Sequence, residues 1–247
     1  MAWYKTLRDW LCSKDMGFQV GKNDPCIFHN PKTGLRLAVV VDDCIVRGSM
    51  EESEAFYKAM ADRFKVKDPT YLTVDTPIKY VGFDITLTKQ DDGHYVTIDQ
   101  GNDLNNYLND IGVPNCKNVT NPMPHKNEMY SDPAPLDEEE GHRYRSIMGA
   151  LNYYACASRY DISYPVSKLS QFSAHPTKGA SRALSRVLSY LRCNTDFGIT
   201  GRMHNGVDDI QCFSDSDMAG DLRFDTHSQT GIMIMLNDAP VYWRSVK

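Results

Sequence analysis

The stretch Leu35-Arg36-Leu37-Ala38-Val39-Val40-Val41-Asp42-Asp43-Cys44-Ile45-Val46 decides how the chain is read. Valine-rich runs favour extended backbone, because branched side chains pack well on a pleated surface. With the short apolar piece Cys26 to Phe28 and the turn cluster Asn30-Pro31-Lys32-Thr33-Gly34 before it, the region reads as a β-hairpin whose second strand ends at Asp42-Asp43. Apolar character resumes at Cys44-Ile45-Val46 and stops at Gly48, so two acids interrupt what otherwise reads as a buried strand pair. Adjacent carboxylates repel, and in a partly dry site both stay ionised only if a cation neutralises them. Mg²⁺ takes one or two carboxylates together with phosphate oxygens and water, which suits phosphoryl or nucleotidyl transfer. The same pair is also ordinary turn chemistry, and its residues alone leave both readings open.

Working outward, Trp3, Leu7, Trp10, Leu11 and Phe18 follow a helical spacing, with Gly17 where that helix would stop. Ser49 and Glu52 have the form of a capping box, and Phe56, Met60 and Phe64 give a helix from about Met50 to Phe64 its apolar stripe. Lys79 to Leu87, the turn Gln90-Asp91-Asp92-Gly93 and His94 to Ile98 predict a second hairpin, with Asp-Gly supplying the positive φ such turns use. A short helix around Leu104, Tyr107, Leu108 and Ile111 follows. Prolines 114, 122, 124, 133 and 135, among Asn, Ser and Asp, mark an extended linker over about 113–135 and a domain or subdomain boundary. Helices are expected over Tyr144 to Ala157, Pro165 to Phe172 and Thr177 to Cys193. The last has Leu184, Val187, Leu188 and Leu191 on one side and Lys178, Arg182 and Arg186 on the other. Strands return at Ile210 to Ser214, Gly231 to Leu236 and Pro240 to Trp243.

The 247 residues are 41% apolar and 24% charged, which fits a folded globular protein rather than a disordered one. No run approaches the roughly 18 apolar residues a membrane span needs, and Met1 to Trp10 do not form a signal peptide, so the expected location is intracellular, cytoplasm or nucleus. Seven scattered cysteines without C-x-x-C spacing read as reduced thiols; Cys26 and His29 are at most half of a zinc site and read better as packed side chains. The net charge of −5 argues against a polyanion partner, yet between His142 and Arg202 nine Lys or Arg stand against two acids. That segregation is either a solvated helix face or a phosphate-binding surface.

Val40-Val41-Asp42-Asp43, with apolar strand on both sides, resembles the reverse transcriptase motif of an aromatic residue, any residue and two aspartates, with Val40 in the aromatic position. Trp3-Tyr4, Leu7, Leu11, Gly17-Phe18 and Asp24-Pro25-Cys26 resemble the stretch that precedes this motif in copia-type retrotransposons. Downstream, Tyr80-Val81-Gly82-Phe83-Asp84-Ile85 is similar to the family's palm-closing, primer-gripping hairpin. Tyr144 to Tyr153, Arg159-Tyr160-Asp161-Ile162 and Leu169-Ser170-Gln171-Phe172 are similar to copia-type elements between palm and RNase H. Phe213-Ser214-Asp215-Ser216-Asp217-Met218-Ala219-Gly220-Asp221 with Ser228-Gln229-Thr230-Gly231 resembles the start of an RNase H domain, with Met218 where the family usually has tryptophan. The resemblance covers essentially the whole chain in order.

It implies an α+β fold: a truncated polymerase palm over 1–99, a helical thumb or connection over 100–200, and the start of an RNase H-like domain over 205–247. It also implies RNA-directed DNA polymerisation with RNase H, using Mg²⁺ held by Asp42 and Asp43, with Asp42 the main ligand. Tyr80 and Gly82 would place the primer, Lys178, Arg182 and Arg186 would track the template-primer backbone, and Asp215 would be the first RNase H metal ligand. Nothing in the spacing of Asp217 and Asp221 shows that they converge with Asp215. The family's third palm aspartate and fingers would precede Met1, and its later RNase H acids would follow Lys247. The chain is therefore expected to be a fragment without activity alone, binding an RNA/DNA duplex and exposing sheet edges that a second polypeptide could complete. The alternative expectation is a non-catalytic nucleic-acid-binding or scaffold remnant of a decayed element.

Overall fold

From Arg36 to Val40, Leu37 and Val39 are buried while Arg36 and Val40 are exposed, so the strand hides one face only. In the computed structural model, which describes residues 2–116, 118–123, 128–203, 209–217 and 228–247, this alternation sets the layout of the first of two compact units. The chain is α+β, with helices packed beside antiparallel sheets. Met218 and Asp221 of the expected RNase H motif, and Pro124 of the expected linker, lie outside the described residues.

The first unit comprises residues up to Tyr71 together with Lys79–Val81. Helix α1 (Ala2–Leu11) is followed by β1 (Gln19–Val20), β2 (Ile27–His29), β3 (Arg36–Val40) and β4 (Asp43–Arg47), which form one antiparallel sheet in that order. Helix α2 (Met50–Arg63) closes it. Leu7 and Leu11 of α1, Phe28, Leu37 and Val39 of the sheet, and Phe56 and Met60 of α2 form a single buried cluster. The first helix ends at Leu11 rather than at Gly17, because the Phe18 amide turns back to the Leu11 carbonyl at 3.0 Å; Gly17, at φ +68°, serves the turn beyond. Asn30 is buried and holds its loop from inside: its side chain donates to the Met16 carbonyl at 2.7 Å and accepts from the amides of Lys32 and Thr33. At α2 the Ser49 hydroxyl accepts the Glu52 amide, as the capping signal predicts.

The chain leaves this unit after Tyr71 and passes through it again at the end of the short strand β5 (Ile78–Tyr80). In the second unit, β6 (Phe83–Gln90), β7 (Gly93–Asp99) and β8 (Ile199–Met203) run antiparallel with β7 in the middle. The hairpin differs in detail from its expectation: Asp91 and Asp92 form the loop, and Gly93, at φ +151°, opens β7. The pairing of β7 with β8 joins segments about a hundred residues apart, Thr97 facing Thr200 with their hydroxyls 2.9 Å apart.

Helices α3 (Gly101–Asp110), α4 (Glu138–Ala157), α5 (Ser163–Ser170) and α6 (Lys178–Cys193) supply the second core. The α4 helix starts six residues before the expected Tyr144, through a full reciprocal capping box between Asp137 and Glu140. Thr177 caps α6, whose Ala183, Leu184, Val187, Leu188 and Leu191 are buried. Each fully buried Leu or Val contributes about 1.5–3 kcal/mol, so this face alone outweighs any single surface contact of the helix. Finally β9 (Ile210–Ser216), β10 (Thr230–Leu236) and β11 (Ala239–Val246) form an antiparallel sheet with β10 central. The turn Asn237-Asp238 has both residues at positive φ, as a two-residue hairpin loop requires. No helix among the described residues is long and apolar enough to cross a membrane.

One charge lies deep in the second core. Arg159 is 1% exposed, bound through Nε and Nη2 to the two Asp161 carboxylate oxygens at 3.0 and 2.7 Å, with the rings of Phe197 and Tyr190 beside its guanidinium. Burial, then Asp161, push the Tyr190 phenol up to about 12. Removing the carboxylate leaves a buried cation without its counter-ion, which costs about 3–5 kcal/mol. Asp161→Ala is therefore expected to lower stability by about that amount in urea unfolding, whereas Asp9→Ala, at an exposed Arg8 pair, changes it by no more than about 1 kcal/mol.

Candidate functional site

Strands β3 and β4 are joined by the shortest loop a hairpin allows: Val40 pairs with Asp43, leaving Val41 and Asp42 as the two turn residues. Val41 has φ +57° and is 77% exposed. A branched residue at positive φ is costly, by roughly 1–2 kcal/mol, and such strain persists only where the surroundings hold it. Here the Trp3 indole N–H donates to the Val41 carbonyl at 2.8 Å, and the same ring packs edge-on against Phe64 at 5.2 Å. Trp3 thereby fixes the peptide between Val41 and Asp42.

Both acids are exposed at the tip of the hairpin, and neither is placed in the dry surroundings that the interrupted apolar run suggested. The reason is the register: Leu37 and Val39 face the core, so Val40, Val41 and Asp42 continue past its edge into solvent. Next to them Cys44 is half-buried, and its thiol is pushed up to about 11 by burial first and by Asp43 and Asp42 second. Tyr80 belongs to the same unit. Its hydroxyl points to the Ala38 carbonyl on β3 at 3.4 Å, and burial, then Cys44 and Asp43, raise its phenol. Tyr80 and the acidic hairpin are therefore brought together, although 37 residues separate Tyr80 from Asp43 in sequence. Gly82, at φ +83°, and Val81, at φ +50°, are the two central residues of the turn that follows.

The donor set fits a divalent cation in part. Asp42 and Asp43 offer hard carboxylate oxygens open to water, which suits Mg²⁺ retaining part of its hydration shell. Among the described residues, no group of three or more His, Cys, Asp or Glu side chains is placed to hold a metal ion. Any remaining ligands would be water, phosphate or groups not described.

In the second unit, Asp215 lies on β9 opposite Gly231, on the sheet face that also carries Phe213 and Met233. It borders an open cleft of about 670 Å³ lined by Tyr160, Ser163, Phe213, Gln229 and Trp243. Asp217 is already engaged, its carboxylate accepting the Gln229 amide at 2.7 Å.

The basic stripe of α6 is exposed, yet its arginines are not idle. Arg182 donates to Asp132 at 3.0 Å and Arg186 to the Asn121 carbonyl at 3.2 Å, both in the linker, and the Arg182 bond holds the Asp132 carboxyl below its ordinary value. Lys178 stands at the first turn of the helix, exposed. These clamps, and the Trp3 bond, join residues far apart in the chain, and no local spacing announces them.

Over its whole length the chain is 32% identical to the retrovirus-related Pol polyprotein from transposon RE1 of Arabidopsis thaliana and 30% identical to that from transposon RE2 of the same plant. A secreted RxLR effector protein, number 161 of Plasmopara viticola, is 36% identical over 104 residues, 42% of this chain and 72% of the effector. The chain belongs to the retrovirus-related Pol polyproteins of copia-type transposons. It spans 16% of the length of the two Pol relatives. No family model matches the chain, and no solved structure matches it.

Two outcomes follow from the hairpin. Trp3→Phe keeps the ring against Phe64 but loses the bond to Val41, so it should cost about 0.5–1.5 kcal/mol in urea unfolding and speed hydrogen exchange at the β3–β4 turn. Because the fold favours the protonated Cys44 thiol, the contribution is intact below pH 9 and is lost as pH rises from there through about 11. At pH 8 the thiolate fraction of Cys44 is then roughly a hundredfold below that of an ordinary thiol. Iodoacetamide should label exposed Cys156 and Cys212 long before Cys44, with site occupancy read by mass spectrometry.

Proposed function

We propose that this chain is the part of a retrotransposon reverse transcriptase that carries the paired metal-binding aspartates, the primer-placing turn and the first strands of an RNase H-like domain. The observation that carries the reading is the placement of Asp42 and Asp43 at the exposed tip of a two-residue hairpin, within a chain similar end to end to Pol polyproteins. In RNA-directed DNA synthesis, Asp42 and Asp43 would hold Mg²⁺ through their carboxylate oxygens, Asp42 as the main ligand. The bound ion supplies charge neutralisation for the primer hydroxyl and the departing pyrophosphate. Trp3 sets the direction in which Asp42 is presented, and Tyr80, resting on β3, ties the primer-placing turn to the acidic hairpin. Lys178, with the exposed parts of Arg182 and Arg186, would offer charge to a duplex backbone. Asp215 would be the first acid of an RNase H site. The exposed edge of β9 would pair with a strand supplied by further polypeptide.

The polymerase reading makes two demands on the chain. Alone, with two carboxylates at the tip, it is expected to extend no primer on an RNA template with Mg²⁺; extension that is lost on Asp42→Asn would overturn the claim that further ligands are required. It is also expected to bind an RNA/DNA hybrid with an affinity that falls steeply as salt rises, and Lys178→Glu should flatten that dependence. An affinity indifferent to salt and to Lys178→Glu would remove α6 from the interface.

A further inference from the structure

Cys116, in the proline-rich linker, and Cys193, the last residue of α6, are 77 residues apart in sequence, and their sulfurs lie 3.0 Å from each other. Among the described residues this is the one pair of thiols within hydrogen-bond reach. Each is also anchored to the other's segment: the Cys116 thiol donates to the Ser189 carbonyl at 3.1 Å, and the Cys193 thiol to the Cys116 carbonyl at 3.4 Å. The backbone on both sides of Cys116 is fixed to the same end of α6. Arg192 Nη2 donates to the Val113 carbonyl at 2.9 Å and Asn194 Nδ2 to the Val119 carbonyl at 3.2 Å. A disulfide has its sulfurs about 2.05 Å apart, so closure asks each sulfur to move by about half an ångström while the flanking bonds stay in place. Both side chains are half-buried and remain open to a small reagent.

We propose that Cys116 and Cys193 are a redox-convertible dithiol, closed by a small-molecule disulfide of the glutathione class into an internal disulfide that fastens the linker to the end of α6. In a reducing compartment the pair rests as two thiols. Burial, then the neighbouring Cys193 thiol, hold the Cys116 thiol above its ordinary value. Either thiol can open the exchange, and both orders lead to the same disulfide; in one of them the first attack is by Cys193. Its thiolate, having lost a proton to solvent, attacks one sulfur of the oxidant and releases one glutathione thiolate. Cys116 then loses its proton and attacks the protein-bound sulfur, expelling the second glutathione. Two protein thiols and one glutathione disulfide become one protein disulfide and two glutathione thiols, so two electrons and two protons leave the protein. The linker segment that closes in this way is the one that Arg186 and Arg182 hold farther along α6. Oxidation therefore converts a hydrogen-bonded attachment into a covalent one at a single end.

The test uses the whole chain, incubated with excess oxidised glutathione, blocked with N-ethylmaleimide and mapped by mass spectrometry without reduction. The expected result is a cross-linked peptide pair containing Cys116 and Cys193, with Cys156 and Cys212 carrying either the blocking group or glutathione. Hydrogen exchange over residues 118–123 should slow by about tenfold in the oxidised form relative to the dithiol. Cys116→Ser and Cys193→Ser should each abolish the cross-link and the slowing. Either variant suffices if the other fails to fold, and the wild-type map stands without them. Independent blocking of both cysteines, stable glutathione on either, or a cross-link to a different cysteine would overturn the dithiol. An exchange rate unchanged by oxidation would overturn the fastening of the linker.

Discussion

Helix α6 has to bury one side and settle the charge on the other, and the second unit is organised by that double requirement. Its apolar face is covered within a core that includes Leu104 and Leu108 of α3, Ile147 and Leu151 of α4 and Leu169 of α5. A helix covered on one side by other helices leaves the opposite side to the linker, which brings Asp132, Ser131 and the Asn121 carbonyl to Arg182 and Arg186. At its C-terminal end Arg192 reaches Asn105 and Asn109 of α3 as well as Val113. A cation near the last turn also meets the negative end of the helix dipole, so this placement is favourable twice over. The close approach at the other end needs Gly179: a Cβ there would come within 2.6 Å of the Met129 carbonyl oxygen. The linker is long and rich in proline, yet the attachments of its described residues make these part of the packed unit rather than a tether.

The first unit works by a different rule. A strand that hides every second side chain cannot also hide the residues of a two-residue loop at its end, and β3 carries its alternation up to Val40 before the turn takes over. Exposure of Asp42 and Asp43 is thus a consequence of register, as strand alternation demands. The positive φ of Val41 is the cost of so short a loop without glycine, and Trp3 offsets it with a hydrogen bond from a helix that is itself held by Leu7 and Leu11. Sequence proximity hides this dependence, because α1 and the hairpin are 38 residues apart at the point of contact.

What could be read beforehand were features that act locally. The apolar stripes of α2, α3 and α6, the cap at Ser49, the turn at Asn30 and the strands β3, β10 and β11 are written in spacings of two to four residues. The first turn of α4 was missed because Glu138, Glu139 and Glu140 bear no apolar stripe, although Asp137 followed by Glu140 is a capping signal. Strand β8 was missed because Ile-Thr-Gly-Arg-Met neither alternates nor lacks a strand-weakening glycine; only β7 alongside makes it extended. At the candidate site, the acids and Tyr80 were legible as residues, whereas the exposure of the acids and the contact of Tyr80 with β3 were not. The same holds for the arginine stripe, whose exposure was evident from periodicity while its partners in the linker depend on tertiary packing. The pairing of Cys116 with Cys193 belongs to this class as well, since no spacing rule relates residues that far apart.

Exposure also lets the acidic hairpin fold without a neutralising cation. Two carboxylates a few ångströms apart in water repel by only about 1 kcal/mol, and salt reduces that further. The buried cluster of Leu7, Leu11, Phe28, Leu37, Val39 and Phe56 exceeds such a penalty many times over at about 1.5–3 kcal/mol for each fully buried side chain. The acidic tip can therefore take its shape without a cation, and Trp3 holds that shape in advance. On the proposed reading, a divalent ion at Asp42 and Asp43 would meet a turn whose backbone is already set, and its affinity would depend on whatever phosphate, water or additional carboxylate completed the shell. On that reading the hairpin would be a preformed part of a site, and the completing ligands would decide when it acts.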